Sequence, residues 1–449
     1  MSRPIQLDIE RYSTAPEDLF AYGFDASGLE EAPAAIAWPR NTEEVIKVMR
    51  YAWEHETAVV PRGAGSGMTG GAVPSKGAIV LSFERMNRIL EVDDVNLTVL
   101  VEPGVVNGRL QRELAGYGLF YPPDPASLEF CTIGGNVAEN AGGPRALKYG
   151  VTKDYVLQLE AVLCGGELVT VGVQTPKGVV GYDLARLLTG SEGTLAAITK
   201  IRLKVLPLPE DVLTLMAVFA DAERAGEAVS RTIASKIIPR TLELMDKASM
   251  TAVEGWSPVG LPTEAEALLL IELDGHPEAI KKEAGRVIEI CEKLGADVTM
   301  AENESARDAL WKARRGVSPA LYHLCPHKIS EDVVVPRSNI ARMLSELKAL
   351  ANKTSVPIAT FGHAGDGNLH VNFLPPVKKD ITPILEEMFK KVLELGGTIS
   401  GEHGVGLTKK PFIAMEIQPA QLKLMRDIKN VFDPKGLLNP GKIFPPEGR

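Results

Sequence analysis

The sequence predicts an α+β protein with an N-terminal α/β region, a ferredoxin-like α+β region, and a C-terminal helix and tail. Three observations predict it. The chain has 449 residues, enough for two or three domains that each bury a core. Before a proline-containing linker near 207–210, short β-rich runs alternate with helical patterns around glycine-rich stretches. After the linker, longer strand and helix patterns repeat. The boundaries read as 1–209, 210–410 and 411–449.

The first elements follow from local pattern. In "NTEEVIKVMRYAWEHE", Asn41 is an N-cap, acids fill the first turn, and Val45, Val48, Met49 and Ala52 form one apolar face. "TAVVPR" is a buried strand leading into a glycine loop at Gly63, and "LTVLVEPG" is another strand. "VNGRLQRELAGYG" is a helix stopped by Gly116 and Gly118. After the linker, "VLTLMAVFA", "DAERAGEAVSRTIASK" and "PRTLELMD" read as strand, helix, strand. "EALLLIELDG" and "HPEAIKKEAGRVIEICEKLGAD" repeat strand then helix, which suits a ferredoxin-like unit. Further helices are expected at "SNIARMLSELKALANK", "DITPILEEMFKKVLELGG" and "PAQLKLMRDIKNVF".

Composition excludes several function classes. Apolar content of 45% and charged content of 24% are those of a soluble globular protein. A net charge of −9 implies no basic face, and so no nucleic-acid partner. The N-terminus lacks an apolar core of signal-peptide length, and no apolar run is long enough to span a bilayer. Cys131, Cys164, Cys291 and Cys325 stand far apart and offer no iron–sulfur or zinc framework. The expectation is a reduced, cytoplasmic chain, with any membrane association coming through a partner.

Two motifs are misleading. Gly65-x-Gly67-x-x-Gly70 follows a strand, yet "GGAVPSKGAIVLSF" returns to a strand where a dinucleotide fingerprint needs a helix. Successive N–H groups in such a loop can still hold a pyrophosphate. Gly436-x4-Gly441-Lys442 has P-loop spacing, but Ile443 stands where the magnesium-binding hydroxyl belongs, and Pro440 spoils the loop. Two more glycine-rich stretches, 131–156 and 187–205, suggest walls around an extended ligand with phosphates and a polar ring.

"PRGAGSGMTGG", "PPDPAS", "TIGGNVAENAGG", "KYGVTKDYV", "GSEGTLAAIT" and "NPGKIFP" together resemble the FAD-linked oxidases of the vanillyl-alcohol-oxidase or PCMH-type fold. The resemblance covers nearly the whole chain. It points to the branch that contains D-lactate dehydrogenase, D-2-hydroxyglutarate dehydrogenase and the D subunit of glycolate oxidase. It implies a PCMH-type FAD-binding domain of two α/β subdomains, with the C-terminal segment returning to it. It implies that residues 62–70, 132–143, 148–154 and 190–198 surround FAD. In the first loop these are Arg62, Gly63, Ala64, Gly65, Ser66, Gly67 and Met68, with the pyrophosphate on Gly63, Gly65, Ser66 and Gly67. Pro123, Asp124 and Thr132 follow, and Gly134, Gly135, Asn136, Ala138, Asn140 and Gly143 flank the flavin side. Tyr149, Gly150, Glu192, Gly193, Ile198 and Asn439 complete the set. The first loop has no histidine for a covalent flavin link, so non-covalent FAD is expected.

"FGHAGDGNLHVNF" carries two of the chain's seven histidines. Gly365-Asp366-Gly367-Asn368 is turn chemistry between β-prone flanks, so a hairpin-like reversal brings His363 and His370 together. Converging imidazoles suit a borderline divalent metal, and they also suit a hydrogen-bonded turn. Glu402 and His403 in "ISGEHGVG" stand between glycines and can project into a site. The resemblance implies His363, His370 and Glu402 as ligands of zinc or manganese. Asn372 is then an outer or substrate contact, or an ordinary strand asparagine.

An imidazole has the near-neutral pKa that a hydroxyl-deprotonating base needs, which favours His403. "LWKARRGVS" resembles the family's substrate-arginine segment and gives Arg314, with Arg315 able to exchange roles with it. Lys328 reads as a surface lysine that could assist.

The expected activity is oxidation of a small D-2-hydroxy acid, D-lactate or glycolate type, by base-assisted, metal-assisted hydride transfer to flavin N5. Without iron–sulfur cysteines, electrons must leave to a separate acceptor: an electron-transfer flavoprotein, an iron–sulfur subunit or a quinone. A homodimer stays open. The competing readings are an alkylglycerone-phosphate-synthase-like FAD transferase and a non-catalytic FAD subunit of an electron-transfer complex.

Overall fold

A computed structural model describes residues 5–446; residues 1–4, the start of the N-terminal stretch, and 447–449 lie outside the described residues. The chain forms two compact units. The first takes residues 1–142, 151–208 and 402–449, and the second takes 143–150 and 209–401. The sequence pattern places the return to the first unit at 411, whereas in the structure residues 403–407 already belong to it. Thr69 Oγ1 donates to His403 O at 3.0 Å, Val405 and Gly406 amides donate to Glu192, and Leu407 N donates to Thr69 O at 2.7 Å.

The first unit carries two larger sheets, those of the two α/β subdomains that the resemblance implied, and a short pairing of Leu119–Phe120 with Leu206–Pro207. One orders Tyr12–Ser13, Ala35–Ala37, Ile79–Ser82 and Val59–Arg62, the last two pairing in parallel. The helix Thr42–His55 covers it because Asn41 accepts the Glu44 amide and Val45, Val48, Met49 and Ala52 are all buried. Left-handed Glu56 ends that helix. The other sheet is antiparallel and orders Ile89–Asp93, Thr98–Val101, Ala197–Lys204, Val156–Val162 and Leu168–Gly172. The expected helix after "LTVLVEPG" spans Asn107–Ala115 and stops at Gly116.

The C-terminal tail closes this unit. After the helix Pro419–Phe432, Asp433 accepts the Leu437 and Leu438 amides at 3.0 and 2.7 Å. The tail then runs beside the strand Val59–Arg62, with Val59 N donating to Leu437 O and Asn439 N to Val59 O, both at 2.8 Å.

The second unit is built on one antiparallel sheet of seven strands: β1 (Asp211–Phe219), β2 (Thr241–Asp246), β3 (Ala267–Gly275), β4 (Asp297–Met300), β5 (Ile329–Val334), β6 (Ile358–Gly362) and β7 (Asn368–Phe373). Their order is β4-β1-β3-β2-β6-β7-β5. The first four strands, with helices Ala222–Ala234 and Pro277–Lys293 as crossovers, make the ferredoxin-like core. Strands β5 to β7 extend it beyond β2. Two helices go beyond the sequence expectation. Lys247–Trp256 joins β2 to β3, and the 21-residue Glu304–Leu324 packs Trp311, Ala313 and Val317 against Met245, Leu268, Leu270 and Phe361.

Candidate active site

In the first unit a cavity opens between the glycine loops. From the first loop, Arg62, Gly63, Ala64, Gly65, Ser66, Gly67 and Met68 line it. Thr132, Gly134, Gly135, Asn136 and Ala138 line it from the second, and Glu192, Gly193 and Ile198 from the third. Glu402 and His403 also line it. Tight packing explains the glycines. A Cβ at Gly63 meets Thr132 Oγ1 at 2.4 Å, and at Gly65, where φ is +66°, it meets the Arg62 guanidinium at 2.2 Å. Among the described residues, the amides of Ala64 to Met68 make no hydrogen bond within the protein. That row of N–H donors fits the pyrophosphate of FAD.

Other expected cofactor residues stand elsewhere. Asn140 is the left-handed cap of the helix Ile133–Glu139 and accepts the Lys153 amide. The Pro123 carbonyl accepts from Asn107 and Gln111. Pro123 and Asp124 do not line the cavity. Asn439 ties the tail to the loops, donating to Gly71 O at 2.9 Å and Glu192 O at 2.7 Å. Gly143, Tyr149 and Gly150 belong to the second unit, where Tyr149 OH and Lys148 both donate to buried Asp274.

Sequence reasoning named Glu192 but missed its acidic neighbour in this cavity, Glu139. Glu139 and Glu192 both line it. Burial pushes Glu139 well above the usual carboxyl range, and the nearby Glu192 charge adds to the shift. Glu139 Oε2 is buried without a hydrogen-bond partner among the described residues. Burial also raises Glu192, but its oxygens accept the Val405 and Gly406 amides at 2.8 and 2.7 Å. Glu139 is therefore the member held further above the usual carboxyl range. His403 Nε2 lies 3.9 Å from Glu402 Oε1.

In the second unit, β6 and β7 form the expected hairpin, with Phe361 opposite His370. The turn needs Gly367, at φ +90°, because a Cβ there meets Val335 O at 2.0 Å. The reversal brings the Nε2 atoms of buried His363 and His370 to 3.4 Å. His363 Nδ1 donates to fully buried Glu243, 2.9 Å from each carboxylate oxygen. Arg314 Nη2 lies 2.6 Å from Glu243 Oε2, and its guanidinium covers the Phe361 ring at 4.8 Å. Burial alone raises the Glu243 carboxyl, but His363 and Arg314 outweigh it and the net direction is down.

Of the two candidate arginines, Arg314 is buried and Arg315 is exposed. Arg314 Nε is buried with no hydrogen-bond partner among the described residues. One turn further along the same helix, Ser318 accepts from Lys328 Nζ at 2.8 Å. Lys328 is thus not a surface lysine; burial pulls its pKa down to about 8. Asn372 is satisfied inside the sheet, donating to Ala359 and His370 carbonyls and accepting from Ser330 Oγ. Asp332, opposite His370 in the ladder, binds the Gly401 amide and Asn368 Nδ2.

A converging imidazole pair with one ring braced by a carboxylate fits a divalent metal. The signal for Glu243 was present in "TLELMD", an acid at an interior position of an apolar strand. All four cysteines are buried free thiols, and among the described residues no helix is long and apolar enough to cross a membrane.

The chain matches two family models: an FAD binding domain over residues 33–172, and the C-terminal domain of FAD linked oxidases over 208–443. It is 43% identical over 447 residues to the glycolate oxidase subunit GlcD of Bacillus subtilis, covering 98% of this chain and 95% of that one. It is 37% identical over 427 residues to the D-lactate dehydrogenase of Anaerostipes hadrus, covering 92% of this chain and 89% of that one. Among solved structures, p-cresol methylhydroxylase with substrate bound superposes with a TM-score of 0.78 at 17% identity, covering 96% of this chain and 93% of that one. That likeness carries the fold. On both halves of its sequence the chain belongs to the FAD-linked oxidases, and it is an FAD-dependent oxidoreductase with a PCMH-type fold.

Proposed function

We propose that this enzyme oxidises a small D-2-hydroxy acid, of the D-lactate or glycolate type, to the 2-oxo acid. The observation that carries the reading is Arg314: a buried guanidinium, anchored on Glu243 at 2.6 Å, whose Nε has no partner among the described residues. A buried orphan donor beside a fixed positive charge is a receptor for a carboxylate. The similarity to GlcD and to a D-lactate dehydrogenase supports the same substrate class.

Arg314 binds and orients the carboxylate, and Lys328 adds a second, half-buried cation, tied to the same helix through Ser318. His403 takes the hydroxyl proton on its imidazole. Bound FAD supplies the two-electron acceptor for the Cα hydride. His363, His370 and Glu402 are the proposed ligands of a divalent metal, zinc or manganese, which would acidify the substrate hydroxyl. The FAD is non-covalent, since the first loop offers no histidine. Electrons pass on to a separate acceptor, an electron-transfer flavoprotein, an iron–sulfur subunit or a quinone. A cytoplasmic location belongs to the same proposal.

The test is an anaerobic screen of D- and L-hydroxy acids against the purified yellow protein, with and without chelator. Flavin bleaching by a D-2-hydroxy acid or by glycolate, slowed by the chelator, is expected. A flavin that stays oxidised with every acid overturns the activity. Bleaching indifferent to chelation overturns the metal.

A further inference from the structure

Glu243 touches both a proposed metal ligand and the proposed substrate arginine. It lies on β2 between Leu242 and Leu244, with no exposed surface. Both its oxygens are 2.9 Å from His363 Nδ1, and Oε2 is also 2.6 Å from Arg314 Nη2. A carboxylate at that distance accepts a proton from Nδ1. It therefore holds the hydrogen of His363 on Nδ1 and leaves Nε2 as the nitrogen turned away from it. Nε2 faces His370 Nε2 at 3.4 Å, across rings set 89° apart. The same carboxylate neutralises Arg314 from one side and leaves its buried Nε unmatched.

We propose that Glu243 is a positioning residue that sets two things at once: the tautomer and direction of His363, and the orientation of Arg314 toward the substrate carboxylate. Removing its charge unlocks both. A glutamine in its place can offer an N–H to His363 Nδ1, which moves the ring proton to Nε2 and points it at His370. Arg314 loses its anchor in the same change. The inference rests on the hydroxy-acid reading for its kinetic consequences, while the tautomer is a property of the chain alone.

The experiment uses the full FAD-loaded chain, wild type and E243Q, with E243D as a second variant that keeps the charge one methylene shorter. Histidine labelled with 15N gives seven ring patterns, and the H363Q spectrum identifies that of His363. After chelation, wild type is expected to show the Nδ1–H form and E243Q to lose it, while E243D retains the carboxylate acceptor. Zinc or manganese affinity, measured by chelator competition, is expected to fall about 10–100-fold in E243Q. KM for the bleaching hydroxy acid is expected to rise at least as steeply as kcat falls, with partial rescue in E243D. An unchanged His363 tautomer in E243Q overturns the inference, as does unchanged metal affinity in a wild type that binds metal. Should wild type bind no metal and bleach with no acid, the functional reading fails. The tautomer comparison still decides the role of Glu243. If E243Q does not fold, the KM of E243D decides it: a KM identical to wild type counts against the proposal.

Discussion

The Nε2 atoms of His363 and His370 face each other at 3.4 Å across the turn joining β6 to β7. His363 donates its Nδ1 proton to Glu243, which leaves Nε2 as the nitrogen turned toward His370. His370→Ala is expected to lower divalent-metal affinity by at least about tenfold, because a three-ligand site loses one strong nitrogen donor. Elemental analysis after dialysis against a graded chelator series measures it. Metal retention equal to wild type removes His370 from the ligand set.

Arg314→Met leaves Glu243 buried with only an imidazole facing it. Breaking a buried pair in this way costs about 3–5 kcal/mol, so a clear drop in melting temperature is expected. Adding Glu243→Gln is expected to recover part of that loss, since the uncompensated charge disappears. Thermal unfolding of wild type, both single variants and the double variant closes the cycle. A double variant less stable than Arg314→Met refutes the pairing.

Burial lowers the Lys328 ammonium from 10.5 to about 8. Its charge is present below about 8 and is lost as pH rises through that value. If it helps hold a carboxylate, KM is expected to climb above pH about 8 while kcat changes less. Stability runs the other way: the buried charge costs most below about 8, and its penalty fades as pH rises toward 10.5. Lys328→Met is expected to raise KM and flatten its pH profile. A variant whose KM still bends at the same pH assigns the titration elsewhere.

Glu139 is held well above the usual carboxyl range by burial and by Glu192. Its folded pKa is raised, so the unfolded chain binds fewer protons above the ordinary carboxyl range, and stability falls as pH rises there. Glu139→Gln is expected to remove that slope. Melting temperatures of both proteins from acid to neutral pH check it, and parallel curves would sink the assignment.

Much of the fold was legible because it is written locally. Asn41 and the Val45, Val48, Met49 and Ala52 stripe give the first long helix its start and its buried face. Gly365 to Asn368 marks the hairpin turn. Other features depend on tertiary partners. The helix Glu304–Leu324 is capped by Asn303, but Pro319 in its interior argues against a helix that long. Asn439 reads as a cofactor contact, yet its amide ties carbonyls of two loops. Glu243, Glu139 and Ser318 acquire meaning only when elements distant in sequence are placed side by side. An acid at an interior position of an apolar strand, Glu243 in "TLELMD", was the hint available.

The tail beside Val59–Arg62 has a consequence for how the enzyme is made. Residues 209–401 are continuous, so the sheet of the second unit can assemble while the ribosome is still translating. The strand feeding the first glycine loop pairs with Ile79–Ser82, but its contacts with Leu437 and Asn439 come only once the tail is synthesised. A polypeptide truncated before Leu437 lacks those contacts and is expected to emerge with less bound FAD than the full chain.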